Sequence, residues 1–376
     1  MIVRAHLSVV VALLALALGG AACNSSDTQQ PRDAGPAESA KPKSKLSQEM
    51  EAAAASSAAA SAQGQGPPPN GVFAPGAADE AQPAGAPPKV TVIKAGDEPK
   101  IRLAVDVLEP GTKLVLVVDK QLIQGPLPTM DYTLEVVEDK KDDKDKGGKA
   151  KAGASAQPAP SAPAGGRPIL LKVKKAELDS KQPGKLPEGA AKVIAKLSGS
   201  RITAVLTPAG SLAGVELRVP DEAKDVAPVA TALVEALELF FSPMPSEPVG
   251  VGGSWIASDR TRINGMPLVR YRVTTLQKVE GDEVSLGVEV RLYATDPDSV
   301  PDGVPSGRGV QMLAFNSFGK AQYSRKRASL VPLAGETSVP LVMALGQGGQ
   351  PIQRGQLKSQ VEAEIHVVAE EPKEKK

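Results

Sequence analysis

One stretch limits what this chain can fold into. Asp221 to Trp255, DEAKDVAPVATALVEALELFFSPMPSEPVGVGGSW, carries the one convincing amphipathic helical pattern after the N-terminus, and strand-like sequence lies on both sides of it. Val226, Val229, Ala230, Leu233, Val234, Leu237, Phe240 and Phe241 recur at three- and four-residue spacing, while Lys224, Thr231, Glu235 and Glu238 fall on much of the remaining surface. Asp225 is placed to cap a helix over 225–241. Pro228 is tolerable there because first-turn amides have no intrahelical partner, and Pro243 and Pro245 stop the helix. An isolated stripe cannot offset the entropy of ordering its own backbone, so the helix needs a sheet beneath it. The expected fold is mainly β (α+β), a curved antiparallel sheet or open half-barrel of about 10–12 strands with this helix packed on its concave side.

The N-terminus sets an address. Residues 1–22 combine Arg4, an apolar core from Leu7 to Leu18 and small residues Gly19 to Ala22, the pattern of an export signal. That apolar core is shorter than the roughly 20 residues a membrane-spanning helix needs. Gly20-Ala21-Ala22-Cys23 resembles a bacterial lipobox, although Gly20 stands where such signals usually carry Leu. The resemblance implies that Cys23 receives a diacylglycerol thioether and, with palmitate-type acylation, becomes an N-terminal anchor. The alternative is cleavage at small residues with Cys23 a bystander. Cys23 is the one cysteine in the chain, which excludes an intramolecular disulfide. Lys and Arg total 44 against 43 Asp and Glu, and removing Arg4 with the signal leaves 43 against 43. A neutral chain with 3% aromatics is a poor nucleic-acid surface, so no nucleic-acid partner is expected.

Residues 23–88 are rich in Ala, Ser, Gln, Gly and Pro, cannot bury a core, and are expected to form a disordered tether. Partial period-two patterns then mark strands at Ile101/Leu103/Val105/Val107, Leu114/Leu116/Val118 and Tyr132/Leu134/Val136. A charged and Ala/Pro/Ser-rich run over 139–167 reads as a solvated insertion in a β domain spanning 89–369, and 370–376 as a charged tail. Further strands are expected at 169–178, in a hairpin within 200–219, at 254–259, 267–279 and 284–293, and in 310–345 and 356–368.

Little chemistry is legible. His6 leaves with the signal, so His366 is the one imidazole of the mature chain, and alternation in QVEAEIHVV turns it outward beside Glu362 and Glu364. Histidine-based metal sites and paired-histidine catalysis are excluded. The loop DPDSVPDGVPSG lacks the spacing of calcium loops, and no phosphate-cradling lysine motif occurs. No catalytic residue, metal or cofactor is expected.

PSEPVGVGGSW, Pro245 to Trp255, supplies a Pro-x-x-Pro-Val-x-Val-Gly-x-x-Trp segment, preceded by a hairpin with Gly199, Pro208, Gly210 and Leu212. Together these resemble an uncharacterised bacterial lipoprotein family with a domain of unknown function. The resemblance covers roughly Ala190 to Val368 and implies an exported, mostly antiparallel β domain with no established catalytic residues. Read physically, Pro245, Pro248, Gly252 and Trp255 form a structural turn, with Trp255 locking helix to sheet. Two function classes follow. One is an envelope lipoprotein, more in keeping with the outer than the inner membrane, whose β domain is a structural or protein-interaction module. The other is a carrier with an apolar ligand, such as a lipid chain, between sheet and helix, walled by Val226, Leu233, Leu237, Phe240 and Phe241.

Overall fold

The computed structural model describes residues 67–103, 111–122, 125–137, 166–179, 189–302, 304, 309–329, 332–347, 350–351 and 357–368. Cys23, the export signal, most of the expected tether, the bulk of the 139–167 insertion and the charged tail lie outside them.

The strands are β1 (Lys89–Lys94), β2 (Lys113–Leu122), β3 (Gly125–Pro126), β4 (Met130–Val137), β5 (Arg167–Leu178), β6 (Arg201–Leu206), β7 (Leu212–Arg218), β8 (Ser254–Ile263), β9 (Met266–Glu280), β10 (Glu283–Ala294), β11 (Val310–Lys326), β12 (Pro332–Gln347), β13 (Gln350–Pro351) and β14 (Leu357–Val367). The helices are α1 (Ala77–Ala81), α2 (Ala190–Ala195) and α3 (Ala227–Phe240), the last entered through a 3-10 turn, Asp221–Val226. Twelve strands form one antiparallel sheet in the order β1-β8-β9-β10-β11-β12-β14-β2-β4-β5-β6-β7, with β3 beside β2 and β13 beside β12. The path runs from β1 to β7 without closing, so the expected open sheet with one principal helix is what the chain forms.

Geometry forces the sheet to curl. In strand order β9 and β7 are nine steps apart, roughly 43 Å if flat at about 4.8 Å per step, yet β9 and β7 both reach α3, a 14-residue rod about 21 Å long and about 10–12 Å wide. Tyr132 of β4, Lys120 of β2 and Trp255 of β8 also meet the helix or its exit. The wrapping corrects the expected split of α3 into buried and solvated sides: Glu235 is buried and Glu238 half-buried, whereas Thr231 stays exposed. The start of the helix also differs. Val226, not Asp225, occupies the N-cap position without a side-chain cap, because the 3-10 turn carries the chain into α3 and Pro228, having no N–H to satisfy, sits in its first turn.

Two further boundaries move. Residues 67–88, expected to belong to the tether, pack on the sheet: Val72 bridges Ala294, and Phe73 and Ala78 join Val269 in a small apolar cluster. Phe73 supplies the large apolar anchor that the Ala/Pro/Gly composition otherwise lacks. Ile101 forms an isolated bridge with Val249 rather than a continuous strand with Leu103, because the chain is drawn to the turn after α3; positions 105 and 107 are undescribed.

Candidate functional site

The inner face of the sheet is not purely apolar. Asp259 on β8 accepts from Arg270 Nε at 2.9 Å and Nη2 at 2.8 Å and from Arg272 Nη2 at 2.5 Å, all three side chains being buried. The same arginines donate onward to main-chain carbonyls at the end of α3, Arg270 to Glu238 at 3.4 Å and Arg272 to Phe241 at 2.7 Å. The last turn of α3 holds no basic residue of its own, so strand β9 caps the negative end of its dipole. Burial would raise the Asp259 carboxyl, but the two guanidinium groups hold it below its usual range. Burial, then the neighbouring Arg270, draws Arg272 down to about 10. On the other flank Lys120 Nζ meets Glu235 Oε2 at 2.6 Å, and Glu235 Oε1 accepts from the Asn264 amide at 2.9 Å. These groups match each other in charge and bind helix to sheet.

The five wall residues of the carrier hypothesis sit in this interior. Val226, Leu233, Leu237, Phe240 and Phe241 each expose at most 3% of their surface and belong to one contiguous core with the inner face of the sheet. Side chains so covered leave no water-sized space beside them. At the exit of the helix Trp255 is fully buried and donates from Nε1 to the Pro243 carbonyl at 2.8 Å. Pro245 is buried and Pro248 exposed. Gly252 adopts φ 75°, and a Cβ at Gly250 would lie 1.6 Å from the Asp97 carbonyl oxygen, so this turn closes against residues 95–101 where a side chain could not fit.

The outer face holds the concave surface. A strongly twisted sheet that curls around a helix on one side is saddle-shaped and hollow on the other side along the opposite diagonal. Here that hollow is a groove of about 1180 Å³ running from β9 to the end of β5. Its described lining includes Asp119, Asp131, Asp179, Glu289 and Glu336, with Glu362 and Glu364, against Lys320 as the one cationic residue. A second hollow of about 600 Å³ shares Gln277, Gln322, Glu336 and Glu364 with it and extends to His366. His366 is exposed on the face of Glu362 and Glu364, where alternation placed it.

Register explains the charge. Glu336 lies directly opposite Glu364 across β12 and β14, and Glu362 opposite Asp119 across β14 and β2. Like charges set opposite each other cost stability. Burial and then the Glu362 charge raise the Asp119 carboxyl, and burial raises that of Glu289 although Lys320 and Arg291 work against it. Two residues apart on a polar strand face, Glu362 and Glu364 carry only the signal of a solvated pair, and the convergence of five further carboxylates from elsewhere in the chain has no local signal. Among the described residues no group of three or more His, Cys, Asp or Glu side chains is arranged to hold a metal ion, and no helix is long and apolar enough to cross a membrane.

No family model matches the sequence, and no curated protein matches it. Among solved structures, one described as showing lipid-protein interactions in lipovitellin is similar over 70% of this chain and 26% of that one, with 10% identity and a TM-score of 0.38. The chain thus spans about a quarter of the length of that protein, and no assignment follows from a likeness at that level.

Proposed function

We propose that this protein is a membrane-anchored interaction module of the bacterial cell envelope, tethered through Cys23, whose outer sheet face takes a cationic segment of a partner protein. The observation that carries the reading is the groove itself. Seven carboxylates from β2, β4, β10, β12, β14 and the residue after β5 converge on one concavity whose described lining holds a single lysine. An extended segment bearing several Lys or Arg residues would relieve the repulsion of the facing Glu336–Glu364 and Glu362–Asp119 pairs while filling the hollow. An anionic lipid surface would be repelled by the same face, which favours a groove directed away from the membrane.

The reading assigns no reaction to the protein. Glu235, Glu238 and Asp259, whose ionisation is shifted by burial and by neighbouring charges, lie between α3 and the sheet against cations and away from both hollows, which supports a structural role for them. The carrier reading has less support, because its wall is filled core. The test is binding of a fluorescent ten-residue oligolysine by anisotropy, at about 20 mM and about 500 mM salt. Binding at low salt that weakens at least tenfold at high salt, and at least fivefold in a Glu336→Gln, Glu362→Gln, Glu364→Gln variant, is expected. No binding at low salt, or equal binding by the variant, would sink the proposal.

A further inference from the structure

We infer that residues 67–88 are a releasable strap: a unit that opens and recloses on the outer face while the sheet beneath stays folded. Its release uncovers an aromatic patch next to the acidic groove and lengthens the chain leading to the domain. The strap begins at the open end of the β10–β11 pair. Those strands stay in register as far as Arg291 opposite Phe318 and then diverge. Residues 70–73 wedge into the gap, with Phe73 N–H donating to the Ala294 carbonyl at 3.0 Å, Ala294 N–H to Gly71 at 2.9 Å and Phe315 N–H to Asn70 at 2.8 Å. From there the strap crosses β10, β9 and β8. Phe73 packs edge-on to Tyr293 with ring centres 6.0 Å apart, and Tyr293 packs edge-on to Tyr271 at 5.6 Å. Arg260 on β8 holds the far end, donating to the Gln82 carbonyl and to Asp79, both at 2.6 Å.

These anchors are few for the length of chain they order. Among residues 67–88 only Gly71, Val72, Phe73, Ala78 and Gln82 are buried. The Asp79 end of the ion pair is largely exposed, where such pairs contribute little. Helix α1 has five residues, too short to persist alone. Beneath it, β9 pairs along most of its length with strands on both sides. A segment with a handful of buried contacts laid over a doubly paired strand opens before that strand does. Its position adds a consequence. Tyr271 is two residues along β9 from Val273, which lines the groove, so release extends the groove with an aromatic surface. The 22 residues set free, 67–88, would add up to roughly 75 Å of extended chain.

Gly71 offers a selective perturbation. It adopts φ 77°, and a Cβ there would lie 1.7 Å from the Phe315 carbonyl oxygen, so Gly71→Ala should expel the wedge and withdraw Val72 from the edge of the main core with it. The test is amide hydrogen exchange on the full-length chain, read at single residues. In the unmodified protein the amides of Phe73, Ala294 and Phe315 should exchange together, at least tenfold faster than those of Val288 and Val290 farther along β10. Gly71→Ala, and separately Phe73→Ala, should speed those three at least tenfold more and raise binding of a fluorescent hydrophobic dye, with Val288 and Val290 unchanged. If the three amides exchange at the same rate as Val288 and Val290, or if both variants speed all five alike, the strap is part of the cooperative fold and the inference fails. Neither result bears on oligolysine binding, which tests the groove separately.

Discussion

Lys120→Met should cost more than any single change on the outer face. The Lys120–Glu235 pair has 4% of each side chain exposed and a separation of 2.6 Å. At an effective dielectric constant near 20, unit charges about 3 Å apart attract by about 5.5 kcal/mol, and removing both from water costs several kcal/mol per ion. The pair is therefore worth little net, whereas removing one partner strands the other and should cost about 3–5 kcal/mol. In Lys120→Met the carboxyl of Glu235 loses the cation that opposed its burial, and its ionisation moves further up from an already raised position. A raised carboxyl binds its proton more tightly folded than unfolded, so the penalty should shrink as pH falls from 7.5 towards the unfolded value of about 4.5. The double variant Lys120→Met, Glu235→Leu leaves only the Asn264 amide without its acceptor and should cost about 1–3 kcal/mol, far less than the sum of the single changes. Urea unfolding followed by fluorescence reads this directly, since Trp255 is the one tryptophan and is fully buried. Single variants costing under about 1 kcal/mol, additive and independent of pH, would refute the claim that the pair is desolvated.

Trp255→Phe should cost about 1–3 kcal/mol by stranding the Pro243 carbonyl and shrinking the side chain, and Trp255→Ala about 3–5 kcal/mol, both measured by circular dichroism during urea unfolding. Asp119→Asn should stabilise the fold at pH 7 by about 0.2–1 kcal/mol, since the native carboxylate is disfavoured by burial and by Glu362. The raised carboxyl makes that gain disappear as pH falls below the unfolded value of about 3.8, so urea midpoints at both pH values decide it. Cys23→Ser should abolish labelling by palmitate analogues and release the protein from membranes; retention of label and membrane binding would end the anchor reading.

Elements whose signal is local are legible from the chain alone. Alternation in 284–293 and 114–118, helical periodicity in 226–241 and the stop at Pro243 and Pro245 mark β10, β2 and α3 to within a few residues, because each pattern reports which face of a short segment must leave water. The burial of Trp255 was legible for the same reason, as the one large aromatic surface beside a turn rich in Pro and Gly. What alternation could not show is which charged residues face inward. Lys120, Asp259, Arg270 and Arg272 occupy inner positions, and Glu235 lies on a helix side that reads as polar; each is buried only because the sheet curls around α3 and brings its counter-charge from another element. The strap depended on distant contact too: in a stretch of Ala, Pro and Gly, Phe73 is an anchor only once Tyr293 is in place opposite it. The groove was the least legible feature of all. Its acids lie on strands far apart in the chain, and it took the register of β10, β11, β12, β14 and β2, together with the saddle of a twisted sheet, to gather solvated-looking carboxylates into one hollow.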